Sequence, residues 1–150
     1  MDEFEIGTPK KGEQGRRKSK SKIRIELAVE IRGNKSGRAY AKVIEDYSCK
    51  SLTPIFKTHI KSDAKIATDK WSGYSPLKKS FPKLTQELSD NGANFKVLHF
   101  QIRNFKNWLR GVHSYCYKEY IDQYIQEYFF RFNRLNFRKT RLNRQKGVCF

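Results

Sequence analysis

Apolar and polar residues alternate most regularly over Lys22–Arg32. Ile23, Ile25, Leu27, Val29 and Ile31 hold the odd positions, while Arg24, Glu26, Glu30 and Arg32 are among the even ones. A period of two over this length predicts a strand with one face buried. The segment Gly33–Gly37 (GNKSG) reads as a turn, and Arg38–Glu45 (RAYAKVIE) as a second strand returning as a hairpin. Farther on the period lengthens. Leu52, Ile55, Phe56, His59 and Ile60 share one stripe at helical spacing, which predicts a helix over Ser51–Lys61. A short strand is expected at Ala64–Asp69, a loop at WSGYSPL, and a strand or extended run at Phe95–Phe100. The last large element is a helix over 118–133, with Tyr120, Ile121, Tyr124, Ile125, Tyr128, Phe129 and Phe132 on a wide apolar stripe. At the other end, Met1–Gly7 alternates acids with apolar groups and supplies a first strand. The basic, glycine-containing stretch 8–22 reads as a mobile loop between it and the hairpin. This mixture predicts an α/β (α+β) fold, a mixed sheet with helices packed on it, in a single domain.

Charge changes the picture more than composition does. The chain has 150 residues, enough for one ordinary core. Its 11 Phe, 8 Tyr and 2 Trp argue against a disordered chain. Lys and Arg number 32 against 15 acids, a net charge of +17. An excess of that size repels itself unless it answers a polyanion, and nucleic acid is the first candidate. Residues 131–146 concentrate it: Arg131, Arg134, Arg138, Lys139, Arg141, Arg144 and Lys146 occur there without an acid, an electrostatic footprint for DNA phosphates. No apolar run is long enough for a transmembrane helix, so no membrane partner is expected. Cys49, Cys116 and Cys149 form no CxxC pair, which speaks against a structural zinc site and for free thiols in a reducing cytoplasm.

Candidate chemistry is sparse. No Ser-His-Asp, Cys-His, phosphate-loop or HExxH pattern is present. Asp69 ends a short strand and precedes a turn, where a carboxylate faces a crevice; on position alone a simple turn or cap residue is the favoured reading. Asp2 on its own is a terminal acid. His99, Gln101, Asn104 and Lys106 form a polar cluster, with Gln101, Asn104 and Trp108 on one face of a helix. Two separated Asp residues and a basic surface permit metal-assisted phosphoryl chemistry.

Several segments, in one order, resemble the DDE-superfamily insertion-sequence transposases of the ISXO-like branch, which carries a zinc ribbon before its catalytic domain and Asn or Glu as third active-site residue. MDEFEIG resembles the segment around the first catalytic Asp, VIEDYSCKSLTPIFKTHI the strand and helix that follow, and ATDKWSGYSPL the second-Asp motif. HFQIRNFKNWLRGVHSYCYKEYIDQYIQEYFFRFNR resembles the terminal signature. The resemblance covers residues 1–137 and sets off 138–150 as a basic, degenerate tail. It implies a ribonuclease H-like fold and metal-dependent DNA strand cleavage and transfer at transposon ends and target, by multimers, in a bacterial cytoplasm. It also implies that Asp2, Asp69 and Asn104 hold Mg²⁺ or Mn²⁺, with Lys106 as the accompanying basic residue. By the same comparison the first strand is truncated, Lys70 stands where the family has Gly, and RQKGVCF departs from the family's ending. A Gly there would point to positive φ, which strains Lys. The alternatives are an inactive remnant that only binds DNA through its basic surface, and a basic RNA- or ribosome-associated module.

Overall fold

The computed structural model describes residues 1–7, 22–113 and 117–146, excepting the side chains of residues 91, 92, 118 and 137–146. The expected loop at 8–22 therefore lies almost wholly outside the described residues. So do Cys116, Cys149 and the side chains of Arg138, Lys139, Arg141 and Arg144.

The hairpin forms as the alternation predicts. Strands β2 (Ile23–Arg32) and β3 (Lys35–Ile44) pair antiparallel, with Gly33 at the turn in the left-handed conformation, φ 60°. Strand β1 (Asp2–Ile6) pairs antiparallel with the other edge of β2, Asp2 opposite Leu27 and Glu3 opposite Glu26. A second, parallel pair joins β4 (Ile66–Asp69) to β5 (Leu84–Glu87). The Met1 nitrogen donates to the Ala67 carbonyl at 2.6 Å and sets the free edge of β1 against that of β4. The fold is thus a mixed α/β arrangement in which β2 is the central strand of its sheet.

That position corrects one expectation. Over its first half, strand β2 does not keep a polar face in solvent, since Glu26 is fully buried and Ala28 nearly so; at its far end Glu30, Ile31 and Arg32 are all exposed. Both faces are covered, each by its own core. On one, Phe4, Ile23, Ile25, Leu27 and Ala39 meet α2 (Lys96–Val112) and α3 (Ile121–Lys146) through Leu98, Ile102, Phe105, Leu109, Ile125 and Phe129. On the other, Ala28 and Ile44 meet α1 (Cys49–His59) and the 3₁₀ segment Ser72–Lys79 through Leu52, Ile55, Phe56, Tyr74 and Leu77.

Two more expectations are corrected. Phe95–Phe100 is not a strand, because α2 begins at Lys96. Leu98, Ile102, Phe105 and Leu109 recur every three or four residues, so the short apolar window belongs to a longer helical stripe. WSGYSPL is not an irregular loop but a 3₁₀ helix that buries Tyr74. Strand β5 has too short a sequence, LTQE, to show a period, and it exists through its pairing with β4. The closing helix continues to Lys146, past the position that set off the tail.

Its tail signature has a structural use. The Asn133 amide bonds the free edge of β3 twice: the Ala39 N–H donates to Oδ1 at 2.8 Å, and Nδ2 donates to the Ala39 carbonyl at 2.9 Å. Asn136 adds a bond to the Gly37 carbonyl at 2.8 Å. A side-chain amide there replaces the partner strand that an open edge would otherwise recruit.

Candidate metal centre

The site is built where β1 meets β4. Neighbouring residues on a strand project to opposite faces, so a group that approaches both Asp2 and Glu3 has to sit at the strand's edge. Asp69, the last residue of β4, comes in at that edge. One carboxylate oxygen from each of Asp2, Glu3 and Asp69 lies within 4.8 Å of the others. The two aspartates picked out in the sequence are thus brought together across 67 positions, and Glu3 joins them without having been singled out.

Each carboxylate is held differently. An Asp2 oxygen accepts from the Glu3 N–H at 2.9 Å. Its side chain is 13% exposed, and its other oxygen lies 3.7 Å from His99 Nε2. Burial, and then repulsion from Asp69, pushes the Asp2 carboxyl above its ordinary range. Asp69 accepts from the Trp71 N–H at 3.1 Å, a local turn in which the side chain replaces a backbone acceptor. That turn is anchored on both sides, since Trp71 Nε1 donates to the Tyr47 carbonyl and Gln86 Nε2 to the Trp71 carbonyl, each at 2.8 Å. Lys70 follows without positive φ, a conformation that Asp90 alone adopts among the described non-glycine residues. The strain expected from Lys in place of Gly is therefore absent.

Behind the aspartates the opposite face of β1 holds a second acidic pair. Glu3 and Glu26 stand directly across from one another, 8% and 0% exposed. Like charges so placed repel, and burial followed by that repulsion raises Glu26 to about 9. It is therefore a neutral acid at pH 7. The Tyr74 phenol is pushed well up by burial and then by these carboxylates. Burial lowers the Met1 ammonium against the opposing pull of Asp2, Glu26, Glu3 and Asp69.

Helix α2 closes the other side of the site through His99. Five residues further, Asn104 lies about 140° around the helix axis from His99. Asn104 is half-buried. Lys106 does return to the His99 face, its Nζ 5.3 Å from the centroid of Phe4 on β1. Gln101 turns away to the Ser36 hydroxyl of β3 at 3.1 Å. Of the expected DNA contacts on α3, Arg131 pairs with Glu127 at 2.8 Å and Arg134 lies over the Phe130 ring at 5.4 Å. Both are exposed and lie on the helix that covers the β3 edge, on the far side of β2 from β1. The signal for Glu3 and Glu26 was available as acids inside strand patterns, whereas that for His99 was its spacing to the apolar stripe of α2.

The donor set suits a divalent ion. Carboxylate oxygens are hard donors matched to Mg²⁺ or Mn²⁺. A cation between Asp2 and Asp69 would relieve the repulsion that raises Asp2. Among the described residues no helix is long and apolar enough to cross a membrane. No curated protein and no solved structure matches the chain. A family model does match, over residues 2–133, from the first aspartate through the Asn133 that binds β3. The chain belongs to the family of the ISXO2-like transposase domain and is, by that membership, a protein of DNA transposition.

Proposed function

We propose that this domain performs metal-dependent cleavage and transfer of DNA strands at insertion-sequence ends, on a ribonuclease H-like sheet. The observation that carries the reading is the approach of Asp2 and Asp69 from separate strands to a shared edge, with Glu3 beside them. Mg²⁺ or Mn²⁺ held there would polarise a phosphodiester and activate the attacking oxygen. The protein's own part is to position it. The Trp71 turn fixes Asp69, the Glu3 N–H fixes Asp2, and the two-sided core keeps both strands in register. In cleavage, water oxygen bonds to phosphorus as the strand's 3′ oxygen leaves and takes a proton; in transfer, that 3′-hydroxyl gives up its proton and bonds to a target phosphorus as the target strand's own 3′ oxygen leaves and takes a proton.

The resemblance gives the third position to Asn104. We place His99 there, because it is the α2 side chain that reaches Asp2 and because its Nε2 is buried without a hydrogen-bond partner. Lys106, on the same face, is placed to meet a phosphate.

Calorimetric titration with Mn²⁺ and nicking of a supercoiled plasmid test the reading together. Asp69→Asn is expected to abolish both while leaving DNA binding at low salt intact. His99→Ala should weaken Mn²⁺ binding more than Asn104→Ala does; the reverse order returns the third position to Asn104. Wild-type protein that binds DNA, ignores Mn²⁺ and leaves the plasmid intact would be the inactive DNA-binding remnant.

A further inference from the structure

Helix α2 carries an uncompensated line of positive charge that starts at the metal centre. Its 17 residues include Lys96, Arg103, Lys106 and Arg110 and no acid. His99, Arg103, Lys106 and Arg110 are spaced by four, three and four. At about 100° per residue they fall within roughly 60° of one another around the axis. The start of the line is fixed by the approach of His99 to Asp2 at 3.7 Å. Its middle is fixed by Lys106 over Phe4, two residues along β1 from Asp2 and on the same face. Arg103 rests over the Phe100 ring at 5.1 Å. Burial, and then the charge of Arg110, lowers the Lys106 ammonium, as expected of cations that crowd one another.

Several cations elsewhere have a carboxylate partner. Arg131 pairs with Glu127, Arg32 with Glu30, and Lys22 and Arg24 with Glu5. Among the described residues no carboxylate lies within ion-pair distance of Arg103, Lys106 or Arg110, and the acid that most attracts Lys106, Glu5, already holds two cations. Position at the helix C-terminus explains Arg110 alone. Three like charges aligned on one face, one of them half-buried, repel each other, and their only described offsets are the contacts of Arg103 with Phe100 and Lys106 with Phe4.

We propose that this stripe is a track for the sugar-phosphate backbone of the DNA strand as it leaves the metal centre, with Arg103, Lys106 and Arg110 on successive phosphates. The assignment rests on the proposed reaction at Asp2 and Asp69. From Arg103 to Arg110 the helix rises about 10 Å, and one strand of a duplex advances about 3.4 Å per nucleotide, so the stripe spans about three nucleotides. The basic run of α3, across the sheet at the β3 edge, would then serve a separate stretch of DNA.

Fluorescence anisotropy of a labelled duplex across a salt series, in EDTA, tests the track without requiring metal or turnover. Each phosphate contact removed lowers the slope of log K against log salt by about 1. Arg103→Gln/Lys106→Gln/Arg110→Gln should lower it by about 3, and Arg103→Gln/Arg110→Gln, which changes only exposed residues, by about 2. The control Lys57→Gln/Lys61→Gln/Lys65→Gln removes the same charge around α1 and should lower it by less than 1. The double variant decides the matter if melting shows that the triple variant fails to fold. Slopes equal to the wild type or to the control overturn the track. Mn²⁺ titration of the same proteins separates the two readings: a lost slope with no Mn²⁺ binding in the wild type refutes the metal centre and leaves a DNA-binding stripe. Unchanged slopes with Asp69-dependent Mn²⁺ binding refute the stripe and leave the metal centre.

Discussion

Replacing Asn133 by Ala removes both hydrogen bonds that close the edge of β3. The amide receives the Ala39 N–H at 2.8 Å and donates to the Ala39 carbonyl at 2.9 Å, and Ala39 itself is fully buried. A buried backbone group left without a partner costs about 1–3 kcal/mol. Two such groups set an upper bound of about 6 kcal/mol, but Asn133 is half-buried and water can enter beside it. The lower part of the range, about 2–4 kcal/mol, is therefore expected. Equilibrium urea unfolding measures it, provided the slope with denaturant stays that of the wild type. Asn133→Asp keeps an acceptor for the N–H but sets an oxygen against the Ala39 carbonyl, so it should recover little of the loss. Asn136→Ala, with one bond to Gly37, should lose about 1 kcal/mol. A loss under 1 kcal/mol for Asn133→Ala would show that the amide decorates the edge rather than closing it.

Phe129 is 4% exposed and packs 5.5 Å from Phe105, so Phe129→Ala should lose about 3–5 kcal/mol in the same titration; a loss near zero would mean that α3 does not seal the core. Glu26 keeps in the folded chain a proton that the unfolded chain releases. Stability should therefore fall as pH rises from its ordinary 4.5 toward about 9, and Glu26→Gln should flatten that fall in urea midpoints measured across the interval. For the metal centre the sign is opposite. Asp2 is raised and has to lose its proton to bind, so Mn²⁺ affinity should increase with pH through that raised value, and an affinity independent of pH would remove Asp2 from the site. The salt series for the α2 stripe adds the expected slope losses given above.

What was legible in the sequence followed from period. Strand β2 and helix α3 announced themselves because one face of each is apolar over ten residues or more, and β3 because it returns as a hairpin after the turn at Gly33. Strand β5 and the 3₁₀ helix at Ser72–Lys79 did not, because four residues carry no period and Tyr74 is buried by tertiary contact. The reading of β2 as half-solvated failed at Glu26. A charged residue in an alternating strand signals solvent only if no second layer covers that face, and α1 supplies one. In the site, Asp69 was a candidate at the end of its strand, but position alone favoured a turn or cap residue there, and it entered the site, like Asp2, through family likeness. The side of α2 that meets them was not legible, because which residues of a helix face a given strand depends on how the helix is rotated in its packing. His99 and Asn104 are equally polar in sequence, and the burial of Leu98, Ile102, Phe105 and Leu109 decides between their directions.

The same packing explains how four carboxylates share one small region of a protein carrying +17. They cannot all be ionised out of water at that spacing. Glu26, wholly buried, keeps its proton. Glu3 faces the Tyr74 phenol on the inner side of β1. These two form the wall between the cores. Asp2 and Asp69 differ because they stand at the strand edge that α2 leaves accessible, each fixed through one oxygen by a backbone N–H. The second oxygen of Asp2 is turned toward His99. A cation admitted there would offset the mutual repulsion of Asp2 and Asp69 directly. Charge on α2 then continues outward from the same point, from His99 through Arg103 and Lys106 to Arg110. Positive potential rises along the helix where negative charge is concentrated at its start, so on the proposed reading a phosphodiester drawn by the stripe would be delivered against the two aspartates only once a cation had neutralised them.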